Sequence, residues 1–596
     1  MFAKIPERMM HFARWGLAIG WLILIASLFY DPISAYLSEP HRLFGPESAD
    51  VCFEFQGKCQ PLTPYPLGAR IFWGMVVPLS ILILLVLGHE AWRRICPLSF
   101  FSQIPRALGW RHQRLVKEHS WLSRNHSYLQ FFLLFLGLNV RLLLVNSDRL
   151  LLGFFLLFTI LSAIAVGLLY GGKTWCNYFC PMAPVQSIYS EPSSLLTSVA
   201  HTAPPRSITQ SMCRTVNQSG LERSACVACK SACMDIDAEN SYWSKIHQPD
   251  QKLMYYAYLG LAVGFYLYFW LYSGNWNFLS AGVWNETNQL SSLLSPGFYL
   301  NGSAIAIPKL VAVPLTLTLF SSVTYVLGLR IEKAYKRYNK KFKRPLPLEQ
   351  VHHQLFTLFS FAAFNALFFL GVRPTLGWLP LIVQQVLSWG AILASSLWMV
   401  KIWRRSENQY SKERDGNLLR RQLQKMAIDF PQFLDGRSLE ELNPDELYAL
   451  ARVLPGFSHQ YRLQVYSGVL KESLGQSGVR PSKSLKVFQD LRQGLGINDV
   501  EHHQLVDQLC QDHPDLFAPN RGQTSNLAAT AKRNFNRDVP TANFTIRRPF
   551  RSVRTSAVAE KNLPVRQPTK SETEPTLQRS WADMTRVKVS KRDREK

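Results

Sequence analysis

The sequence predicts an all-α, polytopic membrane protein with about eight transmembrane helices, an iron–sulfur loop region on one face, and a small soluble helical domain ending in a disordered tail. Three observations predict it. The first is eight apolar runs: Phe12–Tyr30, Ile71–Leu87, Leu129–Val145, Leu150–Tyr170, Met254–Tyr272, Val311–Leu329, Leu355–Val372 and Leu381–Trp398. Each is close to the ~20 residues that carry a helix across a bilayer. A soluble core able to bury all eight would be implausibly large. The second is that the 66 lysines and arginines, which give a net charge of +25, gather in blocks beside these runs. That arrangement fits membrane topology and argues against a nucleic-acid partner. The third is the distribution of ten cysteines.

Orientation follows from the basic residues. Lys4, Arg8 and Arg14 flank the first run, Arg93 to Arg124 follow the second, and "RIEKAYKRYNKKFKR" follows the sixth. Other loops, such as "LVNSDRLLL", are poor in basic residues. The N-terminus, the even-numbered loops and the C-terminal third are therefore expected in the cytoplasm, with the chain a multi-pass protein of a bacterial inner membrane. The first run lacks a small-x-small cleavage site and reads as an anchor.

The cysteines sort by side. Cys52 and Cys59 lie in the first outer loop, "DVCFEFQGKCQPL", and are expected to form a disulfide, since that compartment is oxidising. Cys96, Cys176, Cys180, Cys213, Cys226, Cys229 and Cys233 fall on the reducing side, where clustered thiols point to metal or catalysis. Cys510 stands alone in a helical tail.

The run Cys213-x12-Cys226-x2-Cys229-x3-Cys233 contains the C-x2-C-x3-C part of the bacterial ferredoxin pattern. Short gaps let a loop wrap a cluster and aim successive sulfurs at different irons. Arg223 stands where the first ligand of that pattern belongs, and Met234 replaces its proline. Cys213 is the candidate fourth thiolate. These four are the expected ligands of one [4Fe–4S] centre. Zinc also takes four thiolates, but more often from two C-x2-C pairs, and only one is present.

A weak repeat precedes this run. "GHEAWRRICPLSFFSQ" and "GGKTWCNYFCPMAPVQ" each follow the second helix of a hairpin and reach Cys-Pro. Aligning Cys96 with Cys180 puts Trp92 opposite Cys176. Proline after each cysteine predicts a helix start there, with the dipole favouring thiolate or an anionic cluster. Cys96, Cys176 and Cys180 are candidates for a second centre, left with three thiolates or completed by another ligand such as His89; alternatively they complete and shield the first.

The C-x3-C-P element beside membrane helices, followed by ferredoxin-type cysteines, resembles the membrane-bound polyferredoxins of the NapH/NosR type over about residues 70–240. Members typically carry paired C-x3-C-P elements and two full ferredoxin motifs. This chain has one complete element, half of another and one altered run. The resemblance implies a protein that passes single electrons between a protein donor and a protein acceptor without itself transforming a substrate. The alternative is a redox or iron sensor whose cluster state controls the C-terminal helical domain and its cytoplasmic partner.

The chain thus divides into N-terminal transmembrane helices with the first Cys-Pro element (1–170), an iron–sulfur region (171–252), C-terminal transmembrane helices (253–403), a helical domain (404–518) and a basic tail (519–596). Asn365, Gln384 and Gln385 are expected to make helix–helix hydrogen bonds, and Arg141 to snorkel outward. Helix starts are expected at Ser438, Asn443 and Asn498, each followed three residues on by glutamate. The tail, rich in Arg, Thr, Ser and Pro, is expected to be disordered.

Overall fold

The computed structural model describes residues 5–37, 39, 52–61, 66–110, 114–117, 120–145, 148–197, 213–216, 221–224, 229–230, 233–274, 289–300, 302–342, 346–373, 376, 379–426, 430–434, 436–453, 458–475, 489 and 491–512. The chain divides into two compact units, Met1–Leu505 and Val506–Lys596. The second is described only over 506–512, where helix Asp499–Asp512 ends. Cys226, the side chains of Cys52 and Cys510, and the expected disordered tail lie outside the described residues.

Among the described residues, eight helices are long and apolar enough to cross a membrane: Glu7–Phe29, Leu67–Val86, Trp121–Val145, Arg149–Leu169, Pro249–Ser273, Lys309–Lys341, Leu348–Val372 and Leu381–Trp403. They are numbered here as spans one to eight, and each overlaps one apolar run of the sequence. Their polar ends are capped where the chain supplies an oxygen. Ser120 accepts from the Ser123 N–H at the third span, and Asp148 accepts from Leu150 and Leu151 at the fourth.

The fifth and seventh spans are the most buried. Tyr255 stacks on Phe356 with ring centroids 4.3 Å apart, and Tyr256 packs on Phe356 and Phe359. The fifth span meets the sixth through Gly260 and Gly264. A Cβ on Gly260 would run into the Phe320 carbonyl, and its N–H donates to Thr324 Oγ1 at 3.1 Å. Small residues permit such backbone approach.

Strand pairing among the described residues consists of three hairpins and one isolated parallel bridge, Arg114 with Tyr170. Cys52–Phe55 pairs with Lys58–Pro61, Arg214–Val216 with Glu222–Ser224, and Pro296–Leu300 with Ser303–Pro308, all antiparallel. Cys59 is disulfide-bonded.

Both ends of the membrane part come back to the cysteine end of the bundle. Arg94 donates to Glu7 Oε2 at 3.1 Å and to the Ile5 carbonyl at 2.9 Å. Lys401, at the end of the eighth span, donates to the Ser194 carbonyl at 2.8 Å. Beyond it, Ser406 caps helix Glu407–Leu423, followed by helices Pro444–Val453 and His459–Gly475.

Several local expectations are met and others are not. Asn443 and Asn498 form reciprocal caps with Glu446 and Glu501, with all four bonds at 2.8–2.9 Å. At Ser438 both the N–H and the hydroxyl donate to Glu441 Oε1 and no side-chain cap returns; the residues between them form a turn and the helix waits for Pro444. Asn365 bridges to Ser395 of the eighth span at 3.4 Å, as a helix–helix bond. Gln384 turns back to the Leu379 carbonyl at its own helix start. Arg141 does not reach outward: its guanidinium carbon lies 3.6 Å from the Trp73 ring centroid and 4.7 Å from that of Phe265, a cation–π clasp between spans.

Candidate iron–sulfur site

The two Cys-Pro units are built alike. Gly88 and Gly172 each stand eight residues before the Cys-Pro cysteine, and both have positive φ, +78° and +68°. At Gly88 a side chain would also strike Ser194 and Thr197. The units then diverge. Cys96 caps a short helix, Pro97–Phe101, with proline at its first turn as expected. Cys180 instead ends a single π-turn, Trp175–Phe179, and the next helix starts only at Ala183. The expected helix start at Cys180 is therefore corrected. Pro181–Met182 make a turn, and the Cys180 N–H reaches back to the Trp175 carbonyl at 2.8 Å. Four residues of helix or π-turn place Cys176 and Cys180 on one face.

The copies meet face to face. In the alignment of Cys96 with Cys180, Arg93 corresponds to Asn177 and His89 to Lys173. Arg93 Nη1 donates to Asn177 Oδ1 at 2.9 Å, and Lys173 Nζ donates to the Arg93 carbonyl at 3.3 Å. Contact between equivalent positions is the mark of a two-fold interface, here within one chain.

Arg93 is the hub. It is fully buried, and besides Asn177 it donates to Gln186 Oε1 and Asp235 Oδ2, each at 2.9 Å. One guanidinium thereby ties the first Cys-Pro unit to the second and to the residues just past Cys233. The rigid, planar fork spreads these donors over two nitrogens, Nε and Nη1, which the single nitrogen of a lysine does not. Asn177 Nδ2 also donates to Cys229 Sγ at 3.3 Å, and Tyr178 Oη to the Cys229 carbonyl at 3.1 Å. Residues between Cys176 and Cys180 therefore hold Cys229 directly.

The hairpin explains how a distant Cys213 can join the run. Arg214 pairs with Ser224. Cys213 thus lies at the same end of the hairpin as Ser224.

Burial and mutual proximity disfavour free thiolates. Burial pushes the Cys96 thiol up to about 11, and nearby Cys176 adds to it. Burial also raises Cys180, reinforced by Cys176 and Cys96. Burial and then Asp235 lift Cys233 to about 12 against the opposing Arg93. These thiols hold their protons at neutral pH unless a metal displaces them. Burial alone would raise Asp235, but Arg93 and Lys173 outweigh it and hold the carboxyl at about 2.

Around the thiols stand four cationic side chains, Arg93, Lys173, Lys230 and Lys245, with two carboxylates, Asp235 and Glu191, among them. Lys173 is 1 % exposed and makes no ion pair among the described residues. Burial and the like charge of Lys245 push Lys230 well down, and it shares a 3.0 Å contact with His126 Nε2. His89, 2 % exposed, makes no hydrogen bond of good geometry at either ring nitrogen. Such buried groups with unmet demand are costly. A polar cavity of about 30 Å³, room for a water or two, lies between Cys176, Asn177, Lys230 and Met234.

Thiols are the ligand type that soft metals and iron–sulfur clusters take. Among the described residues no group of three or more His, Cys, Asp or Glu side chains is spaced to hold a metal ion. Arg93, Asn177, Tyr178 and Asp235 were not singled out from sequence. Their sole signal was position, inside or beside the Cys elements. No family model, curated protein or solved structure matches the chain.

Proposed function

We propose that the chain is a membrane-bound electron-transfer protein that carries a [4Fe–4S] centre on Cys213, Cys226, Cys229 and Cys233 at the cytoplasmic face of a bacterial inner membrane. Cys96, Cys176 and Cys180, with His89, are candidates for a second. The supporting observation is the Arg93 hub, which draws both Cys-Pro units to the ferredoxin-type run inside a cation-rich shell. A bound centre supplies one-electron exchange. The chain's own part is to bury the site, donate N–H to sulfur from Asn177, and set the surrounding charge, all of which tune a potential. Donor and acceptor are proteins, as in the polyferredoxins that the cysteine spacing resembles.

Sensing is the second reading, and one observation favours it. Arg405 bridges Glu239, six residues past Cys233, to Glu413 of the C-terminal helix, with N···O distances of 2.6–2.8 Å. Tyr410 Oη donates to Asp237 at 3.0 Å. Movement of the cysteine run would reach the soluble domain through these bonds.

Anaerobic purification with iron and sulfide counting and electron paramagnetic resonance tests both. Transfer predicts equal iron and sulfide with a reversible reduced signal, lost in Cys229→Ser. Sensing predicts a centre that cannot be reduced reversibly and whose loss exposes residues 405–413 to protease. Zinc without iron overturns both readings.

A further inference from the structure

Away from the cysteines, four side chains form an unbroken line. Glu349 Oε1 lies 3.0 Å from His247 Nε2, His247 Nδ1 lies 3.1 Å from His352 Nδ1, and His352 Nε2 lies 2.9 Å from Glu332 Oε1. The line runs inward: the side chains of His247 and Glu349 are 24 % and 16 % exposed, those of His352 and Glu332 only 2 % and 6 %.

Its proton count is decisive. Each of the three contacts needs one hydrogen. Two neutral imidazoles bring two, and ionised carboxylates bring none. With both Nε2–H groups committed to the carboxylates, the two Nδ1 lone pairs would face each other at hydrogen-bond distance. Another tautomer only moves the unmet contact to a carboxylate, so the line is complete only when it binds one further proton. Glu332 also accepts from Lys252 Nζ at 3.0 Å and from Lys336 Nζ at 2.5 Å, which keeps it ionised. Those ammonium groups disfavour a divalent metal, and 3.1 Å is an N–H···N distance.

We propose that His247 and His352 bind a single proton, shared between their Nδ1 atoms. The groups facing this site are Glu349 on the same span as His352, Glu332 and Lys336 on the sixth, and Lys252 and Tyr256 on the fifth, with the Tyr256 hydroxyl 3.4 Å from Glu332 Oε2. Protonation fastens the segment that leads from the cysteine run into the fifth span onto the seventh. Deprotonation leaves one of the three contacts without a hydrogen and loosens it.

The experiment is ¹⁵N-histidine NMR of the full chain in lipid, titrated with pH, with the two rings assigned from His247→Gln and His352→Gln. The expected result is a coupled pair that takes up protons in two steps separated by more than about one pH unit, with Nδ1–Nδ1 coupling in the intermediate. Removing either ring should collapse this to one ordinary step. Glu349→Gln keeps both rings and should lower the first step. Two independent single-step titrations would overturn the proposal. So would stoichiometric Zn²⁺ uptake that both Gln variants abolish. The readout does not depend on iron loading.

Discussion

Arg93→Ala removes three hydrogen bonds at once and leaves the Asp235 carboxylate, 1 % exposed, without its ion-pair partner. Breaking a buried pair by deleting one member costs about 3–5 kcal/mol, chiefly because the remaining charge is stranded. Unfolding entropy of about 2.1 cal/mol/K per residue, spread over the 505-residue unit, converts that loss into a fall of about 3–5 °C in the thermal midpoint. The assay is thermal unfolding of the purified chain in detergent, with and without iron, so that cofactor loss is separated from the loss of the pair. Arg93→Met combined with Asp235→Leu removes both charges together. It should recover most of the fall, as apolar replacements of buried pairs commonly do. A single variant within about 1 °C of the parent, or a double variant as low as the sum of the singles, would refute the hub.

Other outcomes follow from the same reasoning. Arg405→Ala cuts the bridge between Glu239 and Glu413, costing about 1.5–3 kcal/mol, and limited proteolysis should cleave residues 404–413 faster. Gly88→Ala should lower the midpoint, since a left-handed backbone costs about 1–2 kcal/mol before the collision with Ser194. Gly16→Ala, which meets nothing within 4 Å, should be neutral or stabilising by under about 1 kcal/mol. Asp31 tests pH dependence. Burial raises its carboxyl, but bonds from Ser34, Leu67 and Ile33 prevail and hold it below the usual range. A depressed carboxyl contributes stability above its unfolded pKa, near 3.9, and loses it as pH falls through the folded value. Asp31→Asn should therefore narrow the stability difference between neutral pH and pH 3, read as thermal midpoints.

The spans were legible because a bilayer demands length and apolarity, which any short window reports. The cysteine elements were legible because ligand spacing is local. What escaped is long-range and polar. Arg93 looked like one more basic residue of a loop, since its carboxylate lies 142 positions on. His247 drew no notice, because its partner is 105 residues away. Arg141 was expected to seek the interface, yet two aromatic faces from other spans satisfy it within the bundle. At Cys180 the motif gave proline its usual place at a helix start, but the preceding π-turn consumed a residue and delayed the helix. For Arg93, His247 and Arg141 a partner absent from the local window decided the outcome.

The internal two-fold contact has a consequence for biosynthesis. A ribosome adding about 5–20 residues per second completes Arg93 about 7–30 s before Asp235 emerges to neutralise it. Through that interval the first hairpin holds an unmatched guanidinium at its end, and the first Cys-Pro unit has no counterpart to dock against. Burial of the arginine is therefore a late event, set by the arrival of Asn177 and then Asp235. A chain stopped at the end of the fourth span lacks Asn177, Gln186 and Asp235 and would keep Arg93 in water.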